Sequence, residues 1–256
     1  MSAAFWIAFW WGAFAGTHMV LSSLPVRTRV IARLGDKAFP GLYSLIAFAT
    51  FIPLVWVYLG NRHAGGLVWN VAAVPGVRQL ALLLAVLGIA MIVAGVLQPS
   101  PALAGMKQAG GARGLTRITR HPLFMGISLW ALSHLLLNGF VTDVLFFGGL
   151  LAFSLVGAAH QDARKRAIEQ ERLGQFLAES SFWPFAAVIT RRNRVIWREL
   201  PWLALAVGAG AAVGIYALHP WALPRDEIPP TSSCLPPLTK GGQGGLGDEI
   251  QVTRYG

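Results

Sequence analysis

Long apolar runs broken by short basic or glycine- and proline-rich segments set the pattern of this 256-residue chain. Six runs reach the roughly 20 mostly apolar residues that a membrane-spanning helix needs. They lie near 3–21, 41–59, 79–97, 122–139, 142–160 and 201–218. A tight turn from Asn138 to Thr142 separates the fourth from the fifth, so these two are expected to form a helical hairpin. Thr17 and His18 interrupt the first run. The pattern predicts an all-α fold: a polytopic membrane helical bundle with about six transmembrane helices.

Composition agrees with that reading. Hydrophobic residues make up 55% of the chain, charged residues 12%, and mean hydropathy is +0.55. Soluble domains carry about 25% charged residues. The net charge of +10 could suggest a nucleic-acid partner, but its distribution points to topology. Of 21 Lys and Arg residues, 4 lie in 22–40, 4 in 98–121 and 8 in 161–200. Arg62, Arg78, Arg225, Lys240 and Arg254 fall on the other side. By the positive-inside rule the basic loops face the cytoplasm. The expected location is therefore a bacterial inner membrane, multi-pass, with both termini periplasmic. The expected partner is the lipid bilayer, and no nucleic acid. The first run has no positively charged leader and no evident small-residue cleavage site, so it reads as a retained helix.

Residues 1–224 read as one membrane domain. Segment 22–40, with Arg27, Arg29, Arg33 and Lys37, is expected to hold a short amphipathic helix. Segment 98–119 contains Pro99, Pro101, Gly110 and Gly111, which break helix continuity; a mobile lid is expected there. Stretch 161–182 mixes acids and bases and reads as a surface helix. Residues 225–256 are rich in Pro, Gly and Ser and read as a disordered tail. Cys234, the single cysteine, lies in that tail. Its solitude excludes an intrachain disulfide, a cysteine zinc site and an iron–sulfur cluster.

The chemistry concentrates in RITRHPLFMG, Arg117 to Gly126. Proline is tolerated at the first turn of a helix, so Arg120, His121 and Pro122 read as a helix start at the membrane surface. Charged and imidazole groups at that depth face a cavity, a ligand or a partner. The topology places His18, His121 and His160 at the cytoplasmic level. His134, thirteen residues beyond His121, lies about 20 Å further along the axis, in the outer half with His63 and His219. His18 and His121 can meet; His121 and His134 cannot share a metal on a regular helix. Two imidazoles at one depth on different helices suit axial ligation of a haem iron, oriented by a carbonyl or carboxylate. The plainer alternative is that each histidine is a cap, an interfacial group or a packing residue. Arg120 either grips a carboxylate, propionate or phosphate or touches lipid headgroups.

Other features have simpler explanations. Tryptophans near run ends, among them Trp6, Trp10, Trp11, Trp69, Trp197 and Trp202, read as interfacial anchors. Gly12 and Gly16 would allow close helix approach. Arg164, Lys165 and Arg166 read as headgroup anchors.

The motifs THMVLSS, VRTRVIARLG, LYSLIAF, GLTRITRHPLFMGISLWALSHLLLNG, DARKR, SFWPFAAVI and YALHPWAL, in that order, together resemble the NnrU family. That family consists of membrane proteins associated with nitrite and nitric oxide reduction, and it includes a plant carotenoid isomerase that carries haem b. The resemblance implies a haem-binding helical bundle whose histidines fall on His18 and His121. His134, in the Ser133-His134 pair, matches a further family position, expected to be a separate or substrate-side site. His160 falls where the isomerase resemblance does not hold. Family members often continue NG with an acid, and here Phe140 follows Gly139. A second resemblance, RHPLFMG followed by EQERLGQFLAESSFWPF, is to the isoprenylcysteine and phospholipid methyltransferase superfamily. It implies that Arg120 and His121 hold the carboxylate of S-adenosylmethionine with Glu171 near its amine. Here the usual double glutamate is split as Glu169-Gln170-Glu171, and Phe124 replaces a tyrosine.

The expectation is thus a haem b protein with iron ligands His18 and His121, and with Arg120 and Arg117 pairing with the propionates. It would act as an accessory factor in nitrite and nitric oxide respiration or as a redox-dependent isomerase. One alternative is a methyltransferase using S-adenosylmethionine. Another is a non-enzymatic scaffold or assembly factor for components of a respiratory reductase.

Overall fold

The computed structural model describes residues 1–103, 105–106 and 110–222, with side chains through Leu218. The chain divides into two units, residues 1–217 and 218–256, and the first is the one described. Cys234, the 225–256 tail and the side chain of His219 lie outside the described residues.

All six apolar runs fall on helices: α1 (Ala3–Ser22), α3 (Phe39–Leu59), α4 (Val77–Leu97), α5 (Pro122–Leu137), α6 (Val141–Glu179) and α8 (Trp202–Ala222). The remaining helices are the expected amphipathic α2 (Leu24–Leu34) and the short α7 (Ala186–Ile189). No strand occurs among the described residues; the nearest thing is an isolated bridge between Leu67 and Phe140. Local chemistry sets several ends. Ser2 caps α1 by accepting from the Phe5 N–H at 3.3 Å, which satisfies a donor the helix leaves open. Pro122 opens α5 as its first helical residue. Four helices, α1, α3, α4 and α6, are long and apolar enough to cross a bilayer. Helix α5 has 16 residues, about 24 Å at 1.5 Å per residue, and with the apolar Trp202–Leu218 part of α8 it is shorter.

The tightest packing joins α4 to α5. A Cβ on Gly88 would lie 2.8 Å from the Gly126 carbonyl, one on Gly95 2.8 Å from the Leu123 nitrogen, and one on Gly126 2.7 Å from the Gly88 carbonyl. These glycines let the two backbones touch, the route by which small residues support helix association in lipid. Gly12 and Gly16 do not serve this purpose: a Cβ on either meets nothing within 4 Å. Aromatic side chains fill the space between α1, α3 and α6. Ile7, Trp11 and Phe14 meet Leu54, Tyr58, Phe146 and Phe147, and Tyr58 stacks on Phe146 at 4.0 Å. Trp11 is therefore a core residue, whereas Trp197 and Trp202 are exposed. On α3, Leu45, Phe48, Ile52 and Trp56 form an exposed apolar stripe at helical spacing, which suits contact with lipid.

Two segments differ from expectation. Stretch 161–182 is not a separate surface helix. Its residues 161–179 form the second half of α6, which breaks at Glu169 (φ −132°, ψ 22°), and they bury Asp162, Arg164, Lys165, Leu173, Phe176 and Leu177. In segment 98–119, where a mobile lid is expected, described residues are held by contacts. Ala102 and Ala112 pack on Leu173, Phe176 and Leu177, and the Ala112 N–H donates to Glu179 at 2.8 Å. Burial of these two alanines anchors the described parts of the segment, 98–103 and 110–119, as a strap.

Gly126→Leu is expected to lower the unfolding midpoint of the detergent-purified protein, by overpacking that costs about 1–3 kcal/mol or more. Gly16→Leu should leave it near wild type. Equal effects in a thermal melt would contradict the assigned contact.

Candidate functional site

Residues 119–121 lead into α5 and are held on both sides. Proline disfavours helical conformation in the residue before it, and His121 has φ −121° and ψ 63°. The Arg120 N–H donates to the Ser181 carbonyl at 2.7 Å. The Arg120 carbonyl accepts from Ser100 Oγ at 2.7 Å, and Thr119 Oγ1 donates to the Phe182 carbonyl at 2.8 Å. Strap, helix entry and the segment after α6 are thereby joined in one block.

Within that block lies a buried charged cluster. Arg120 and His121 are each 2% exposed and Asp162, on α6, is 7% exposed. The Arg120 Nη1 donates to Asp162 Oδ2, and His121 Nε2 lies 2.7 Å from Asp162 Oδ1. Arg120 Nε donates to Ser180 Oγ at 3.0 Å. Its Nη2 donates to the carbonyls of Ser180 at 3.0 Å and Leu177 at 3.3 Å. Buried charges persist where they are paired and their remaining donors and acceptors are satisfied, and this cluster meets that condition. Phe124 and Phe182 flank the imidazole edge-on.

Arg117 faces elsewhere. It forms a two-pronged pair with Glu199, Nε to Oε2 at 2.7 Å and Nη2 to Oε1 at 3.0 Å, and reaches Asn193 Oδ1 at 2.8 Å. The guanidinium hydrogen bond raises the Arg117 pKa and holds the Glu199 carboxyl below its ordinary range.

His18 occupies a different environment. Its ring sits half-buried among Phe14 (4.5 Å), Tyr43 (4.6 Å) and Phe153 (5.5 Å). His18 and His121 share no ring neighbour among the described residues. His134 packs on Phe147 at 4.4 Å, with Nδ1 3.1 Å from the Trp130 carbonyl. Glu171 is exposed, and Glu169 pairs with Lys165 at 3.0 Å and with Arg172. In the first turn of α6, Asp143 is fully buried. It accepts from Tyr58 Oη at 3.0 Å and lies 2.8 Å from His63 Nδ1.

For a haem, donor chemistry fits at the histidines taken singly. A carboxylate on one ring nitrogen is the usual way a ligating imidazole is oriented, and Asp162 holds His121 in that manner. His18 makes no side-chain hydrogen bond among the described residues, which leaves its ring nitrogens available. Arg120 fits less well as a propionate partner, because a propionate would have to displace Asp162. Among the described residues no group of three or more His, Cys, Asp or Glu is placed to hold a metal ion.

Asp162, Ser180 and Asp143 are the members that sequence reasoning missed. The available signal was position: Asp143 and Asp162 bracket the apolar part of α6.

The model of the NnrU protein family matches residues 7–224, so the chain belongs to the NnrU family. It is 28% identical over 215 residues to the chloroplastic 15-cis-zeta-carotene isomerase of Arabidopsis thaliana, covering 81% of this chain and 57% of that protein. The protein of the same name from Zea mays is 25% identical with the same coverage. The chain thus spans little more than half the length of these curated relatives. No solved structure matches it significantly.

Asp162→Ala leaves Arg120 buried without a counter-charge, a change that typically costs about 3–5 kcal/mol. A large drop in chemical or thermal stability is expected, partly recovered in Arg120→Met/Asp162→Leu; a single variant as stable as wild type would contradict the pairing. The Glu199 contribution has a defined pH window. It is fully present above the ordinary glutamate pKa and is lost as pH falls through the depressed folded value. The gap in melting temperature between wild type and Glu199→Gln should therefore close on acidification, and a constant gap would argue against the Arg117 pair.

Proposed function

We propose, with membership of the NnrU family as the premise, that this chain is a membrane-embedded haem b protein that isomerises cis double bonds of a polyene. The observation that carries the reading is the buried Asp162–His121 contact at the entry to α5, in a chain similar over 215 residues to proteins named zeta-carotene isomerases. His18 and His121 would hold the haem. Asp162 fixes the His121 ring and its proton at Nε2, and Arg120 fixes Asp162. The bound group would supply a metal centre able to share electron density with a conjugated double bond and so ease rotation about it. Phe14, Tyr43 and Phe153 around His18 offer flat apolar surfaces of the kind a polyene packs against. The basic loops would face the cytoplasm of a bacterial inner membrane.

A second reading follows from the family: an accessory factor in nitrite and nitric oxide respiration that uses the same haem. Two observations weigh against the S-adenosylmethionine alternative. Arg120 commits its donors to Asp162, Ser180 and Leu177, and Glu171 is exposed.

The test is conversion of a 15-cis polyene by haem-replete protein in liposomes under reducing conditions, followed by chromatography and mass spectrometry. Conversion to the trans isomer without change of mass is expected, with loss in His121→Ala. No conversion by haem-replete protein would overturn the isomerase reading.

A further inference from the structure

Arg164 makes an instructive contrast with Arg120. Both guanidinium-bearing residues are buried, Arg164 to 9% exposure, but Arg164 has no carboxylate. Its Nη1 donates to the Ser22 carbonyl at the end of α1, at 3.3 Å. Its Nε is buried without a partner. One helical turn earlier on the same face of α6, His160 Nε2 is also buried without a partner. Arg27 on α2, Tyr43 on α3 and the adjacent Lys165 lie within electrostatic reach of Arg164. Arg27 lies over the Phe39 ring at 4.6 Å. The adjacent Lys165 feels both arginines, but its acid, Glu169, is paired with it and with Arg172. Among the described residues no ion pair joins Arg27 or Arg164 to an acid.

Headgroup anchoring at an open helix end does not describe this arrangement, because Arg164 is buried and bonded to the end of α1. A buried cation with an idle N–H and a second cation beside it is unfavourable unless an anion completes it. The setting also suggests how the anion arrives. The last turn of α1 borders this corner, and Val20 there is an exposed apolar side chain. An oxyanion carried on an apolar body would enter from the bilayer side.

We propose that Arg164, Arg27 and His160 form a binding site for the oxyanion headgroup, phosphate or carboxylate, of a membrane amphiphile with net negative charge. The guanidinium Nε–H of Arg164 donates to it, Arg27 supplies the second positive charge, and His160 Nε2 closes the site. This site does not depend on the isomerase reading.

The test uses the full chain in mild detergent and native mass spectrometry with phosphatidylglycerol, phosphatidylcholine, oleate and inorganic phosphate as separate probes. Wild type should retain phosphatidylglycerol or oleate in clear preference to phosphatidylcholine. Preference between the first two identifies phosphate or carboxylate as the source. Arg164→Gln should weaken that retention by about tenfold or more, the effect of losing a charge-assisted hydrogen bond. In lipid-free detergent the same variant should melt no lower than wild type, since an unpaired buried cation has been removed. If Arg164→Gln fails to fold, Arg27→Gln, at a half-buried position, carries the test and should weaken retention in the same direction. Equal retention of phosphatidylglycerol and phosphatidylcholine, or anionic retention unchanged in both variants, would overturn the site. Stabilisation by inorganic phosphate alone equal to that by phosphatidylglycerol would overturn its assignment to an amphiphile.

Discussion

The carboxylate of Asp162 is the contact on which the basic end of this molecule depends. It faces Arg120 with one oxygen and His121 with the other. Arg120 then spends its remaining donors on Ser180 and Leu177. Three segments distant in sequence are closed around one buried charge: the strap after α4, the entry to α5 and the end of α6. Without the acid, the arginine would be an uncompensated charge and the imidazole would lose the group that fixes its ring.

Helix α6 applies the same device at both ends of its apolar part. Asp143 in its first turn gathers Tyr58 and His63, where the helix dipole also favours a negative charge. Asp162, 19 residues later by their numbers and so about 28 Å along the axis, gathers Arg120 and His121. Between them the helix presents Phe146, Phe147 and Phe153 to α1, α3 and α5. One long helix thereby positions the aromatic interior and both polar ends. The α4–α5 pair, locked by Gly88, Gly95 and Gly126, sets the height at which His121 meets Asp162.

Much of the fold was legible because apolar runs of near-membrane length have few alternatives to helix. The start of α5 was legible for a local reason, since Pro122 can open a helix but not continue one. The partners were not. Asp162 stands in DARKR, a mixed-charge segment that looks the same whether it faces solvent or a neighbouring loop. The burial of Arg164 and Lys165 was hidden for that reason too. Gly12 and Gly16 have the familiar four-residue spacing yet face open space, while Gly88 and Gly95, seven apart, carry the close contact. Spacing tells which residues share a helix face; only the fold tells what that face meets. His18 lies toward the end of α1 and His121 at the entry to α5, but depth along an axis says nothing of lateral neighbours, and their surroundings differ.

Oxidised and dithionite-reduced absorption spectra of the purified full chain, with a haem assay on the same sample, decide whether His18 and His121 hold a haem. A Soret band that sharpens and shifts on reduction is expected, with haem content lost in His18→Ala/His121→Ala. A colourless protein from haem-replete cells, or haem retained undiminished in that double variant, would contradict it.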